Sequence, residues 1–74
     1  MNSLNTLHDI CQERGWAMAL RSETVKVVGQ DITCLTRLEI LDRKVKDKGA
    51  RLVTGLPVQE DSVEKTAALL IDLL

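Results

Sequence analysis

Two groups of residues in this 74-residue chain have the types and spacing that chemistry needs. The first is Asp31-Ile32-Thr33-Cys34, between the β-favouring run Thr24-Val25-Lys26-Val27-Val28 with its Gly29 breaker and an amphipathic stretch. At the start of a helix, unpaired backbone N–H groups attract anions and the dipole lowers a thiol pKa. Read that way, Asp31 is the cap, Thr33 a phosphoryl acceptor and Cys34 a redox thiol; all three are candidate binding residues. Plain capping beside a small buried cysteine accounts for the same residues. The second group is His8 and Cys11, three apart on one helical face. With Cys34 they make three zinc ligands, but a structural zinc site takes four and the paired cysteine spacing is missing. No metal and no other cofactor is expected.

Other spacings have plainer readings. Ser62-Val63-Glu64-Lys65 has the Ser-x-x-Lys spacing of penicillin-recognising enzymes, without their partner motifs or a domain large enough to host them. Asp61-Ser62-Val63 loosely matches the phosphopantetheine site of carrier proteins, which are all-helical. Helix capping explains both. Leu70-Ile71-Asp72-Leu73-Leu74 has the Leu-x-x-Leu-Leu spacing of helix-in-groove peptides and reads as core or dimer interface. Arg43, Lys44, Lys46, Lys48 and Arg51 form a basic cluster interrupted by Asp42 and Asp47.

These residues need elements to hold them. Leu4, Leu7, Ile10 and Cys11 predict a helix over 4–14, capped by Ser3 or Asn5 and ended by Gly15. Residues 16–21 alternate as a strand, and the polar stretch Arg21-Ser22-Glu23 reads as a hairpin connection to a second strand over 24–28. Ile32, Leu35, Leu38, Leu41 and Val45 form a helical stripe over 32–48, with Glu39–Arg43 and Asp42–Lys46 pairs four apart and Gly49 as C-cap. A third strand follows over 51–54, extending to Leu56. A last helix over 62–74 is apolar nearly all round. The expected fold is α/β, with α+β as the other class that fits: one small domain over 1–74, a three-stranded mixed sheet and three helices in the order αββαβα. Strands two and three would be parallel across the second helix.

Composition narrows the function. Formal net charge is −1, which argues against strong non-specific nucleic-acid binding. Nothing resembles a signal peptide or an apolar span, and two cysteines without an export signal point to a reducing, cytoplasmic setting. Trp16 is the only aromatic residue, so the core is aliphatic. A chain this short buries little of its surface. Surplus apolar residues on the last helix, Val63, Ala67, Leu70, Ile71 and Leu74, therefore read as an interface for a second copy.

Asp31, Leu35, Leu38, Lys46, Gly49, Arg51, Leu52 and Val53 fall in a rhythm that resembles the second half of STAS domains, the fold of anti-sigma-factor antagonists. Thr33 falls where that family carries its phosphorylatable Ser or Thr, whereas Ile32, Cys34 and Thr36 replace small residues and glycines. The resemblance covers Asp31 to Thr54 and implies a regulatory domain that docks on a protein partner. The expected function is a small non-enzymatic regulatory or adaptor protein acting by protein–protein contact as a homo-oligomer. The alternatives are a nucleic-acid-binding regulator using the basic end of the second helix, and a thiol- or phosphoryl-transfer component using Cys34 or Thr33.

Overall fold

A computed structural model of the chain describes residues 2–43 and 49–74. Helix α1 spans Ser3–Arg14, strand β1 Trp16–Val27, strand β2 Gln30–Asp42, strand β3 Arg51–Pro57 and helix α2 Val63–Leu73. The strands form one antiparallel sheet in the order β1-β2-β3. The fold is of the α+β class, αβββα.

Helix α1 starts at Asn2, whose side chain accepts from the Leu4 and Asn5 N–H groups at 3.0 and 3.2 Å. The cap is thus one residue ahead of Ser3. Gly15 ends the helix in the left-handed conformation at φ 72°, as its position after Arg14 predicts. Helix α2 is capped by Ser62, whose hydroxyl accepts from the Lys65 N–H at 3.2 Å. Its buried Thr66 hydroxyl accepts from the Gln59 N–H and donates to the Ser62 carbonyl, both at 2.8 Å. The one buried polar side chain among the described residues thus has both a donor and an acceptor partner.

The sheet overturns three expectations. Residues 32–42 are strand, not helix: Leu38 and Ile40 point to the core while Arg37 and Glu39 point away, a period of two. Ile32, Thr33, Thr36 and Ile40 are β-branched and favour that choice. The Leu35, Leu38 and Leu41 spacing that looks helical is split between the two faces. Residues 44–48, the rest of the expected second helix, lie outside the described residues. β2 and β3 pair antiparallel, so the sheet is not mixed. The described residues contain two helices rather than three. Arg21-Ser22-Glu23 is not a turn either: β1 continues through it, and the hairpin turns at Val28-Gly29.

The core is small. Leu7, Cys11, Leu38, Ile40, Ala67 and Leu70 are buried, with Leu4, Trp16, Met18, Leu56, Val63 and Ile71 packed against them. Trp16 also lies under Arg14, 5.1 Å from guanidinium to ring centre. Both helices therefore cover one face of the sheet. The Glu64 carboxylate, in the first turn of α2, accepts from the Ser3 N–H and from the Leu4 N–H at 3.1 Å. One helix thus caps the other across the whole length of the sequence.

Backbone hydrogen bonds from Ser3, ahead of any other cause, hold the Glu64 carboxyl below its ordinary value of 4.5. A depressed carboxyl contributes stability above that value and loses it as pH falls through the folded pKa. Glu64→Gln is expected to lower Tm at neutral pH. The gap to wild type should narrow as pH falls below 4.5 and close once pH has passed through the depressed folded pKa. A gap unchanged in acid would show that the charge does not act at the α1 terminus.

Candidate protein-interaction surface

Beyond Arg21 the two long strands leave the core. A bulge falls there: Arg21 pairs with Arg37 and Ser22 with Leu35, leaving Thr36 as the extra residue. The Thr36 carbonyl accepts from the Val58 N–H at 3.0 Å, which ties the end of β3 to the bulge. Among the described residues no third strand pairs with the hairpin from Ser22–Leu35 to Val27–Gln30, and every residue in it is exposed. It projects as an arm. The Cα radius of gyration is 14.0 Å, against about 11 Å for a compact chain of this length.

The arm has two different faces. Cross-strand pairing places Val25 opposite Ile32, with Val27, Cys34 and Glu23 on the same side. Thr24 and Thr33, and Lys26 and Asp31, occupy the other side with Leu35. Val28 and Gly29 form the tip with φ of 52° and 77°. Positive φ at both central residues is the primed turn that suits a two-residue hairpin. Gly29 adopts it freely, but a β-branched residue there is strained. Val28 is also 98% exposed.

At the base of the arm, on the sheet face away from the helices, Glu39 lies between two arginines. Arg21 Nε is 2.5 Å from Glu39 Oε1, and Arg37 Nε is 3.8 Å from Glu39 Oε2. The Glu39 side chain is only 12% exposed, and the cluster holds one positive charge in surplus. Gly55 makes room for it. A β-carbon there would come within 3.0 Å of Arg37 Nη2 and 3.2 Å of both Glu39 Cγ and the Leu38 carbonyl. The helical spacing pairs Glu39 with Arg43 instead; the alternation of Arg37 and Glu39 with Leu38 and Ile40 is the signal that finds the cluster.

The residues singled out by their chemistry are redistributed. Asp31, Thr33 and Cys34 lie within the arm's second strand, where no helix N-terminus stands behind them. The helix-start chemistry expected for these three residues has no physical basis in a strand. Thr33 and Cys34 point to opposite faces. A shallow cavity of about 250 Å³ does bring Thr33, Cys34 and Leu35 near Val58 and Asp61. Cys11 is buried in the core and Cys34 is exposed on the arm; both are free. Burial raises the Cys11 thiol pKa, with Arg14 pulling the other way. Among the described residues no cluster of three His, Cys, Asp or Glu could hold a metal ion. Of the expected interface, Ala67 and Leu70 are buried within the single chain, and Val63 and Ile71 pack against that core. Leu74 ends the helix at 36% exposure. What α2 leaves outside is Leu69 and Leu73, beside Leu56. Arg43 and Arg51 are exposed, whereas Lys44, Lys46 and Lys48 lie outside the described residues.

No family model, no curated protein and no solved structure matches this chain. The segment carrying the STAS-like rhythm, Asp31 to Thr54, contains most of β2 and the start of β3. No helix among the described residues is long and apolar enough to cross a membrane.

Two measurements check this surface. Val28→Asn relieves the left-handed strain and should raise unfolding stability by about 0.5–1 kcal/mol in denaturant titrations at low protein concentration. A loss instead would mean that the turn is not of the primed type. A thiol reagent added to the native protein should modify Cys34 in seconds and Cys11 only on unfolding. Equal rates would contradict the burial of Cys11.

Proposed function

We propose that this chain is a small non-enzymatic regulatory or adaptor module, working in the cytoplasm, that acts by self-association through its hairpin arm. The observation that carries the reading is the arm itself. A two-stranded hairpin is marginal in water by itself. This one extends past every helix and still presents Val25, Val27, Ile32, Leu35 and Val28 to solvent. Such a surface is stabilised when another chain covers it. The regulatory, partner-docking role implied by the STAS-like rhythm is compatible with this reading. The phosphosite of that family does not enter it, because Thr33 lies in a strand rather than at a helix start.

The site of association differs from the one its apolar residues first point to. Ala67 and Leu70 hold the single chain together, so α2 is spent on its own core. The exposed apolar residues of the arm lie instead within 20–35. Neither sheet face of the arm carries a convergent acid, base and nucleophile, which supports a binding role over a catalytic one.

Sedimentation equilibrium from micromolar to millimolar concentration is expected to show reversible association. Val25→Lys and Val27→Lys should each weaken it at least tenfold while leaving the circular dichroism of the fold intact. A chain that stays monomeric over the whole range overturns the reading.

A further inference from the structure

Resting on that reading, we infer that the partner of the arm is a second copy of this chain, added edge to edge along β1, antiparallel, with the twofold axis at Ser22. Among the described residues the sheet has three open edge segments: β3, the arm half of β2 over Gln30–Leu35, and β1. β3 is short and carries Pro57, which blunts it. β1 spans Trp16–Val27 without a proline, and the bulge that interrupts the hairpin sits on β2. The open part of β2 is six residues long and ends at that bulge, so β1, with 12 residues, is the longest uninterrupted edge for another strand.

The hairpin turn fixes which groups that edge offers. A two-residue turn makes Val27 and Gln30 a hydrogen-bonded pair, so odd residues of β1 bond inward to β2 and even residues aim their N–H and C=O groups outward. A symmetric antiparallel partner must then pair even residues with even. Centring on Arg21 sets arginine against arginine, and centring on Glu23 sets glutamate against glutamate; like charges directly opposite are destabilising. Centring on Ser22 sets Arg21 against the partner's Glu23 twice over, in the closely spaced non-hydrogen-bonded pairs. Glu23 makes no ion pair of its own among the described residues. The surplus positive charge of the Arg21–Glu39–Arg37 cluster is thereby neutralised.

The same register matches sizes. Val25 falls opposite the partner's Ala19 and Val27 opposite the partner's Ala17, so the bulky arm residues meet the small ones of the core half. Each arm gains as its third strand the partner's segment Ala17–Leu20, which lies in the three-stranded half of the sheet. The tip also finds a place. Val28 falls opposite the partner's Trp16, beside a cavity of about 230 Å³ lined by His8, Cys11, Trp16 and Met18. A strained, exposed valine at the turn is then an anchor rather than a defect.

The test is cross-linking in a Cys34→Ser background. Ser22→Cys should form a disulfide-linked dimer on mild oxidation, because the two positions face each other at the axis. Thr24→Cys alone should not, whereas Thr24→Cys mixed with Leu20→Cys should give the heterodimer. Glu23→Lys should weaken association at least tenfold, and added salt should weaken the wild type. If the chain associates but Ser22→Cys links no better than Thr24→Cys, the register is overturned and self-association stands. If the wild type does not associate at all, both fall.

Discussion

The constraint on which the rest depends is a mismatch of length. Helix α1 has 12 residues and α2 has 11, which at 1.5 Å per residue reach about 18 Å. Strands β1 and β2 have 12 and 13 residues, which at about 3.3 Å per residue reach roughly 40 Å. Two such helices cover no more than half of the long hairpin. They settle on the half where β3 supplies a third strand, and Leu38, Ile40 and Leu56 are drawn into the core there. The other half has neither a covering layer nor a neighbour. The small core, the exposed valines and the open edge all follow from that one inequality.

The termini show how the covered half is held with so few residues. Asn2 and Glu64 converge on the first turn of α1, and the Leu4 N–H is shared between them at 3.0 and 3.1 Å. The Thr66 hydroxyl does the equivalent service for the loop entering α2, where Glu60 and Asp61 both hold left-handed conformations at φ 49° and 55°. These polar ties fix the angle between the helices where an aliphatic core of a few side chains leaves little shape to specify it. Ala67 at the helix contact lets the two helices approach closely.

Local signals were legible where one element competes with nothing else. Gly15 after Arg14, the alternation from Trp16 to Leu20 and the capping stretch Asp61-Ser62-Val63-Glu64 each name their element correctly, the last with its cap falling one residue later, at Ser62. The failure at residues 30–42 has a physical origin. Leucines at 35, 38 and 41 satisfy a helical period, while Leu38 and Ile40 satisfy a strand period, and local spacing cannot rank them. Pairing with β1 on one side and β3 on the other decides it, and that information is not local. The turn was hidden for a similar reason. Asn-Gly would have announced a hairpin at once, but Val28-Gly29 is half of that signal. Misplacing the turn moved Asp31, Thr33 and Cys34 to a helix start and gave them a chemistry that a strand does not supply. For the candidate surface, composition shows a surplus of apolar residues but not its place: Ala67 and Leu70 of α2 are buried in the single chain, while Val25, Val27 and Ile32 are exposed on the arm.

One inserted residue gives the arm its character. Without the bulge at Thr36, a continuous register would set Val25 against Thr33 and Lys26 against Ile32, mixing apolar and polar residues on each face. The extra residue shifts β2 by one, which exchanges the faces of every side chain beyond it. Val25 then meets Ile32, and Lys26 meets Asp31. The bulge also stands where β3 ends, since the Val58 N–H reaches the Thr36 carbonyl. So the point at which the sheet loses its third strand is also the point at which the hairpin becomes two-faced. A hairpin that merely overran its helices would gain nothing from such sorting in isolation. The apolar side it creates continues the sheet face that carries Ala17, Ala19 and the Arg21–Glu39–Arg37 cluster, and it becomes stabilising once another strand lies along β1.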